Sequence, residues 1–549
     1  MNNKNTLVTC AFPYSNGSIH LGHLLEHIQA DIWVRYKRMK GEKVFFICAD
    51  DAHGTAIMIR AKKENITPET LINNTLLEHK NDFLNFNVVH DNYYSTHTEE
   101  NFFFVKNIFS ILKKKKFLKK EFIYQYYDIQ ENIFLPDRFI KGECPYCHAK
   151  KQYGDNCENC GSTYLSTDLI QPKSVLSNTT PLLKQSQHLF FDLPQFEQFL
   201  KKWICSGVLQ KTVFNKIKEW FNKGLKPWNI SRDQPYFGFK IPDFPGKYFY
   251  VWIDAPIGYI STFKNLCNKS KNINFNDFWK INSPHQLFHF IGKDIIYFHS
   301  LFWPAILEAA ELRKPTGIFA HGYLTVNNKK ISKSKGPIIL AKNWIKFLDS
   351  DSLRYYYASR LSSKVEDIEM NLESFHEKIN ADIVNKVINL ASRSAKFINL
   401  YFNGILSDKL IDKDVYNLFL KSSLIIEVHF EKRDFSLAVK EIIKMSGIAN
   451  QYINQKQPWK ILQNNNGLHN SYIQQVCSVS INFFKIIMTW LKPIMPNLAQ
   501  NSEKFLNIKL NWTNIGTPLL NHKINKFKKL YTRIEKKQID SLLSICNLS

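Results

Sequence analysis

Two histidines near the N-terminus and a lysine-rich run far downstream are the side chains best suited to bind a polyphosphate. His20 and His23 lie three residues apart at the start of a segment with helical apolar spacing, so they share one helix face. Lys330 and Lys333 lie in the run Lys-Ile-Ser-Lys-Ser. Imidazole and ammonium groups donate hydrogen bonds to phosphate oxygens, and a helix N-terminus adds partial positive charge. Each motif alone is more often a solvated surface feature. Together they predict a nucleoside triphosphate site that a lysine loop closes.

The segments around the histidines predict a parallel nucleotide-binding sheet. Residues 6–11 have the pattern of a buried strand, 13–17 of a turn, 19–36 of a helix and 44–48 of a second strand. This order is a βαβ unit, and it places both histidines at a helix N-terminus beside the end of the first strand.

The sheet is expected to be interrupted and then resumed. Two strand-like runs at 248–253 and 286–291 would complete it, after a long insertion over about 116–230. Beyond about residue 380 the apolar spacing is helical. We therefore predict an α/β chain: a split Rossmann-type nucleotide-binding domain with a zinc-binding insertion, followed by an α-helical bundle.

Four of the ten cysteines form a cluster with the spacing of a metal site. They occur as two Cys-x-x-Cys pairs separated by nine residues: Cys144, Cys147, Cys157 and Cys160. Each pair forms a knuckle that brings two thiolates to one tetrahedral ion. Redox-active thiols are the alternative. The pattern favours one structural Zn²⁺ that would stabilise an insertion with little core of its own.

Composition indicates a folded, multi-domain protein with a basic surface. The chain has 549 residues, a formal net charge of +25 and a pI near 9.4. Such a charge suits a polyanionic partner such as nucleic acid, although a bias toward lysine and asparagine codons would give the same excess. The first residues lack a signal-peptide core, and Lys485 and Lys492 interrupt the most apolar late stretch. We expect no membrane segment and a cytoplasmic location.

Longer segments of the chain match one family. Residues 11–23, 49–54, 252–259 and 291–294, together with the lysine run, resemble the methionyl-tRNA synthetases of class I, in their bacterial four-cysteine type, and the similarity extends over essentially the whole chain. The resemblance implies that methionine and ATP give methionyl-adenylate and pyrophosphate, and that the methionyl group then passes to the terminal ribose of tRNA(Met) for translation, including initiation. It also implies Mg²⁺ with the ATP.

The resemblance assigns roles to individual residues. The catalytic set is His20, His23, Lys330 and Lys333. The ATP-binding set is Gly22, Glu26, Gly292, Asp294 and Lys333. The methionine-binding set is Ala11, Phe12, Tyr14, Asp51, Trp252, Ala255, Pro256, Tyr259, Phe298 and His299. A mostly apolar, aromatic pocket suits an unbranched thioether, and Asp51 would bind the substrate ammonium. Phe12 stands where well-known members carry leucine, which alters the shape of this wall but not its apolar character.

Three residues of the helical region match the family's anticodon-reading elements. Asn389 and Arg393 lie four apart on one helix face, and Trp459 follows a proline. Asparagine and arginine can hydrogen-bond exposed base edges, and tryptophan can stack on an unstacked base. Without the resemblance, Asn389 and Arg393 would be interpreted as a solvated face. Longer members carry an additional dimerising module after the bundle, so a monomer is expected.

The expected domains are 1–115 and 231–322 (two halves of the catalytic domain), 116–230 (insertion), 323–380 (lysine loop and stem-contact region) and 381–549 (anticodon-binding bundle). Three other functions fit these motifs less well. A synthetase for Leu, Ile or Val would usually carry a larger editing insertion. A tRNA-binding protein without catalysis would not need His20, His23 and Lys333. Another nucleotidyltransferase would not need the helical region.

Overall fold

The computed structural model describes residues 4–154, 157, 159–160, 162, 164–270, 273–326, 329–330, 338–464 and 471–547. The strands are β1 Thr6–Cys10, β2 Val44–Asp50, β3 Asn92–Ser95, β4 Leu118–Asp128, β5 Ile133–Phe134, β6 Ile140–Glu143, β7 Gln152–Tyr153, β8 Ile170–Ser174, β9 Leu182–Phe191, β10 Trp228–Asn229, β11 Ser231–Asp233, β12 Lys247–Phe249, β13 Gln286–Gly292, β14 Gly317–His321, β15 Leu324–Val326, β16 Lys329–Lys330 and β17 Ile368–Met370.

The α-helices are α1 Leu21–Met39, α2 Thr55–Glu64, α3 Pro68–Asn85, α4 Glu99–Lys114, α5 Glu197–Ile204, α6 Lys211–Asn222, α7 Val251–Lys269, α8 Phe275–Trp279, α9 Trp303–Ala309, α10 Ala341–Trp344, α11 Ser350–Ala358, α12 Leu372–Ile379, α13 Asn389–Tyr401, α14 Lys413–Lys432, α15 Phe435–Lys456, α16 Pro458–Asn464, α17 Ser471–Leu491, α18 Pro496–Leu506 and α19 Lys536–Asn547. Two π-helical segments, Phe298–Phe302 and Asn380–Ile388, lie next to α9 and α13.

A five-stranded parallel sheet in the order β14-β13-β1-β2-β3 forms the centre of the nucleotide-binding region. Side chains alternate along β1: Leu7 packs in the core on one face, and Val8 packs with α1 in the core on the other. The chain adds β2 and β3 on one side of β1 and β13 and β14 on the other. Doubly wound sheets open a crevice at the carboxyl ends of their strands where the strand order reverses in this way, which here is between β1 and β13. The predicted βαβ unit and the split sheet are confirmed.

One predicted strand is wrong. Residues 248–253 do not join the parallel sheet: β12 pairs with β11 and forms a bridge from Tyr248 to Lys240, and α7 begins at Val251. A short apolar run fits a strand or a buried helix equally well. Here the segment from Val251 is a helix, and its spacing turns Trp252, Ala255 and Tyr259 toward one cavity.

The insertion is built on a long antiparallel pair. Strands β4 and β9 pair from Leu118↔Phe191 to Tyr127↔Leu182, with β5 and β10 at the two edges of the same sheet. Between the two arms, β6, β7 and β8 form a separate small sheet next to the cysteine pairs.

The lysine run begins in a small sheet and is followed by a segment bound to the start of α1. β16 pairs with β15 through Thr325↔Lys330. On the far side of the run, the Leu21 amide donates to the Ile339 carbonyl (3.1 Å) and the Ala341 amide donates to the Ile19 carbonyl (2.9 Å). Lys333 lies outside the described residues, as does the side chain of Lys330.

The C-terminal region is helical from α12 to α18, as expected, but residues 515–535 form neither helix nor strand before α19. This segment packs along the bundle, where the Leu406 amide donates to the His522 carbonyl and the Ile524 amide to the Gly404 carbonyl. None of the described helices is long and apolar enough to cross a membrane.

Helix α1 connects the sheet to the bundle through a buried ion pair. The Arg354 guanidinium donates to the Asp31 carboxylate at 2.6 Å, and it also donates to the carbonyls of Pro493 and Ile494 at the end of α17. Arg354 is 0% and Asp31 is 2% exposed. Burial alone would raise the pKa of Asp31, but the charges of Arg35 and Arg354 outweigh it and lower the pKa.

We expect Arg354→Met to lower the free energy of unfolding by about 3–5 kcal/mol, because Arg354 is one of two guanidinium partners of a buried carboxylate. The substitution also removes the donor to the Pro493 and Ile494 carbonyls. Because the folded pKa of Asp31 is depressed, the pair's contribution is present above the unfolded pKa and is lost as pH falls through the folded pKa. Urea unfolding at pH 7 measures the loss. Lys509→Met, which removes an exposed partner of Glu503, is the control and should cost less than about 0.5 kcal/mol. Equal effects in the two variants would contradict the prediction.

Candidate active site

A cavity of about 540 Å³ opens at the carboxyl ends of β1, β2, β13 and β14. It is lined by residues that the sequence assigned to two different ligands. Those from the methionine set are Ala11, Phe12, Tyr14, Asp51, Trp252, Ala255, Pro256, Tyr259 and His299, and those from the phosphate and ATP sets are His20, His23, Gly22, Glu26, Gly292 and Asp294. The fold thus brings both sets into one space.

The two histidines form a stacked pair at the start of α1. His20 is the N-cap, and its Nδ1 accepts a hydrogen bond from the Gly22 amide at 3.1 Å. His23 Nδ1 accepts from the His20 amide at 3.3 Å, and the ring centroids are 3.7 Å apart. A neutral imidazole that accepts at Nδ1 carries its proton at Nε2. Both rings are therefore held as Nε2–H donors in a fixed orientation.

Gly22 makes this arrangement possible. A Cβ at Gly22 would lie 3.0 Å from Cε1 and 3.1 Å from Nδ1 of His20. A side chain here would press against the His20 ring, so the glycine leaves room for the ring in the cap and leaves the backbone open to the cavity.

The acidic end of the cavity is formed by Asp51 and Tyr14. The Asp51 amide donates to the Pro13 carbonyl at 2.8 Å, and the Ser15 amide donates to the Asp51 carbonyl at 2.9 Å, so the β1 loop and the end of β2 run together. Burial, followed by the charge of Asp254, raises the pKa of Asp51. Asp51 Oδ1 is buried and has no partner among the described residues. A bound cation would satisfy it, which fits the predicted contact with an ammonium group.

The apolar wall is built from α7 and the π-helical segment. The rings of Trp252 and Phe298 stack at 3.9 Å with an interplanar angle of 2°, so Phe298 supports Trp252 from behind and does not line the cavity. Phe12 meets Tyr259 edge-on at 4.6 Å. A Cβ at Gly258 would lie 2.7 Å from the Phe12 ring, so the large aromatic ring here depends on that glycine.

His299 is a neutral polar group in this wall. Its Nδ1 donates to the Ile295 carbonyl at 3.1 Å, and its Nε2 accepts from the Tyr259 hydroxyl at 2.9 Å. Burial lowers the pKa of His299 to about 4. The ring therefore stays uncharged and keeps one fixed orientation at neutral pH.

Sequence reasoning missed His321, which completes the ATP side of the cavity. Its ring nitrogens face the Gly322 carbonyl at 2.7 Å and the Glu26 carboxylate at 3.2 Å, and Glu26 also accepts the Ala11 amide at 2.6 Å. Burial alone would lower the pKa of His321, but the hydrogen bond and charge of Glu26 raise it. The sequence signal was the short apolar run 317–320, which ends at His321 and forms β14.

The four cysteines converge as predicted. Their sulfurs lie within 4.8 Å of one another, with Cys144 and Cys160 at 3.8 Å and Cys147 and Cys157 at 3.5 Å. The sulfur–sulfur edge of a tetrahedral site with Zn–S bonds of about 2.3 Å is about 3.8 Å. Amides of the knuckles donate to the sulfurs, as from Tyr146 to Cys144 at 3.4 Å. The donor set fits a metal ion.

The residues assigned to the anticodon are brought together in the bundle. Asn389 begins α13, and the Arg393 guanidinium lies 4.6 Å from the centroid of the Trp459 ring in α16. Arg393 thus stacks on a half-buried aromatic ring and is not a freely solvated side chain.

Comparison with known proteins agrees with this geometry. The family described as tRNA synthetases class I (M) matches residues 6–395. Methionine–tRNA ligases of Buchnera aphidicola are 59% identical over 543 residues (subspecies Acyrthosiphon pisum, strain Tuc7; 99% of each chain) and 58% identical over 543 residues (subspecies Baizongia pistaciae; 98% of this chain and 99% of the relative). In solved structures, Mycobacterium tuberculosis methionyl-tRNA synthetase in complex with methionyl-adenylate has the same fold, with a TM-score of 0.79, 22% identity, and coverage of 96% of this chain and 100% of that chain.

Proposed function

The chain belongs to the methionine–tRNA ligase family of the class I tRNA synthetases, and from this membership we propose the roles of its residues in the reaction. The enzyme joins methionine to tRNA with ATP. The observation that carries the assignment of roles is the single cavity in which an unpartnered Asp51 oxygen, an aromatic wall and two fixed Nε2–H donors meet.

At the methionine end, Asp51 binds the substrate ammonium. The charge of the ammonium offsets the cost of keeping a carboxylate buried, which otherwise raises the pKa of Asp51. The side chain of methionine lies against Trp252 and Tyr259, where dispersion and sulfur–aromatic contacts favour a thioether. Neutral His299 and the Tyr259 hydroxyl give this wall a fixed polar contact near the substrate sulfur.

At the ATP end, His20 and His23 donate from Nε2 to phosphate oxygens, while Gly292, Asp294 and Glu26 border the adenosine. The methionine carboxylate attacks the α-phosphorus, and pyrophosphate leaves. Charge that develops on the departing oxygens is stabilised by the two histidines and by Lys330 and Lys333. Mg²⁺ bound with the ATP would neutralise part of the phosphate charge. Glu26 is already bound to His321 and the Ala11 amide, so its main contribution is to hold the cavity wall.

Cys144, Cys147, Cys157 and Cys160 would hold one structural Zn²⁺. Four thiolates would leave no position open for a substrate, so the ion would serve to stabilise the tip of the insertion. In the bundle, Asn389, Arg393 and Trp459 read the anticodon of tRNA(Met): the arginine already stacks on the tryptophan, and an unpaired base would add to that stack.

Three further proposals concern the whole molecule. We propose the domain limits 1–115, 116–230, 231–322, 323–380 and 381–549. The limit at 380 falls within an unbroken helical stretch from Leu372 to Tyr401, so the last two domains would share one helix there. We also propose a cytoplasmic location and a monomeric state. Sedimentation analysis of the purified protein decides the latter.

The experiment that tests the function is ATP–pyrophosphate exchange with each of the twenty amino acids, without tRNA. We expect exchange with methionine alone. Lys333→Ala should lower kcat by about 10²-fold with little change in KM for ATP, because the lysine acts on charge that develops in the transition state. Lys346→Ala, at an exposed position after the lysine run, is the matched control. Exchange with another amino acid would refute the pocket assignment, and an unchanged kcat would refute the role of Lys333.

Trp459→Ala should reduce kcat/KM for tRNA in aminoacylation by about tenfold or more, since one base–aromatic stack contributes about 1–3 kcal/mol. Methionine-dependent exchange should persist, because the residue lies in the bundle and not in the cavity. Trp459→Phe keeps a ring for stacking and should retain most of the activity. An equal loss of exchange and aminoacylation in Trp459→Ala would indicate misfolding and would contradict the anticodon role.

Metal analysis should find about one zinc per chain. Cys157→Ser should abolish zinc binding, because it removes one of the four ligands. Without the ion that joins the two knuckles, the midpoint of thermal unfolding should fall and the insertion should become sensitive to proteolysis. Cys205→Ser, at an exposed position of the insertion outside the cluster, should do neither. Zinc-free protein with an unchanged midpoint would show that the cluster is not a structural metal site.

A further inference from the structure

A histidine outside every motif contacts the loop that precedes the histidine pair. His79 lies in α3 and is 0% exposed. Its Nδ1 lies 2.8 Å from Asp50 Oδ1, and its Nε2 lies 2.8 Å from the Gly17 carbonyl oxygen. The same Asp50 oxygen accepts the Tyr93 hydroxyl. Neither sequence motifs nor the cavity lining include His79.

The two contacts define the protonation state of the ring. A carbonyl oxygen only accepts, and Asp50 Oδ1 already acts as an acceptor toward Tyr93. Each ring nitrogen of His79 therefore faces an acceptor, and each must carry a proton to make its hydrogen bond. The arrangement fits an imidazolium that bridges the end of β2 to the turn between β1 and α1.

The turn that His79 holds is the one that sets the position of His20. Gly17 lies three residues before His20. The neighbouring residue of α3 contacts the same region: the Lys342 ammonium lies 3.1 Å from Glu78 Oε1 and 3.4 Å from the Ser18 hydroxyl. Lys342 follows the lysine run, so one turn of α3 contacts the roots of both phosphate-binding segments.

We propose that His79 is a positioning residue for adenylate formation: as an imidazolium between Asp50 and the Gly17 carbonyl, it fixes the turn that aims His20 and His23 at the triphosphate. This proposal rests on the function proposed above for the two histidines. A carbonyl held by a charged donor is restrained more strongly than by a neutral one. Displacement of such a turn by about 1 Å can cost up to about 10²-fold in rate without touching the reacting groups.

The charge of His79 makes the arrangement sensitive to pH. Burial alone would lower the pKa of His79, but the hydrogen bond and charge of Asp50, followed by the Gly17 carbonyl, raise it above its usual value. The other titratable groups facing the ring are Glu78 and Asp82 from α3, Tyr93 from β3, His27 from α1 and Lys342 from α10. Asp82 has a pKa raised to about 6 and titrates on the acid side.

The charge of His79 predicts a fall in kcat at alkaline pH. Below the folded pKa of His79 both donors are present and the turn is held. As pH rises through that pKa one donor is lost, and kcat for methionine-dependent exchange falls. Replacing Asp50 by asparagine keeps an acceptor but removes the charge that raises the pKa, so the fall should move to lower pH.

The test compares His79→Gln, Asp50→Asn and the wild-type protein in pyrophosphate exchange over pH 6 to 9. We expect His79→Gln to lower kcat by about tenfold or more, with KM for methionine unchanged and this alkaline fall abolished. Asp50→Asn should keep kcat at acidic pH and lose it at a lower pH than the wild type. His522→Gln is the control, since His522 also donates to a carbonyl (Leu506, 2.7 Å) but lies in the C-terminal segment. A wild-type kcat in His79→Gln, or an unmoved alkaline fall in Asp50→Asn, overturns the proposal.

A second readout does not depend on the reaction. NMR of histidine-labelled protein, with His79→Gln for assignment, should show the His79 ring titrating above about 6.5, the ordinary histidine value. A ring that titrates below this value overturns the proposal, and if His79→Gln misfolds, the shift of the alkaline fall in Asp50→Asn remains the deciding measurement. If the wild-type protein shows no methionine-dependent exchange at all, the proposed function fails, and the ring titration still decides the protonation of His79.

Discussion

The buried pair of Asp31 and Arg354 connects the two halves of the molecule. Asp31 lies in the middle of α1, whose N-terminus carries the stacked histidines, and Arg354 lies on α11 against the end of α17. A guanidinium removed from water requires partners for its donors, and here they come from both sides: Asp31 and the Phe86 carbonyl from the nucleotide-binding region, and carbonyls at the end of α17 from the bundle. The helix that forms the phosphate side of the cavity is thereby connected to the bundle.

Local sequence patterns predicted those parts of the structure that depend on neighbours in the chain. The βαβ unit around His20, the convergence of the four cysteines and the helical bundle all have periodicity or spacing that short segments reveal. The run at 248–253 is short enough to fit the period of a strand and that of a helix equally well, so the sequence does not distinguish the two. In the structure Trp252 and Tyr259 lie on one helix face, toward the cavity. His321 and His79 were missed because each acts through a partner far away in sequence, Glu26 in one case and Gly17 in the other.

Buried histidines near the cavity differ in charge because their neighbours differ. His299 faces one acceptor and one hydroxyl donor, so a single proton satisfies it and burial keeps it neutral. His321 and His79 each face two oxygen acceptors, and a nearby carboxylate raises the pKa of each. In the sequence the three histidines look alike. Their partners in the fold make His299 a neutral part of the cavity wall and make His321 and His79 charged groups that hold its loops.

The long pair of β4 and β9 converts small rotations at the root of the insertion into larger displacements at its tip. Ten residue pairs lie in register along these arms, which at about 3.4 Å per residue is a reach of roughly 30 Å from root to tip. Over that length a rotation of about ten degrees at the root would carry the cysteine module by roughly 5 Å. Small changes where the aromatic rings of Phe117, Phe191 and Phe196 pack at the base are therefore amplified at the far end, and the stiffness of this aromatic base determines how precisely the tip can meet a large partner.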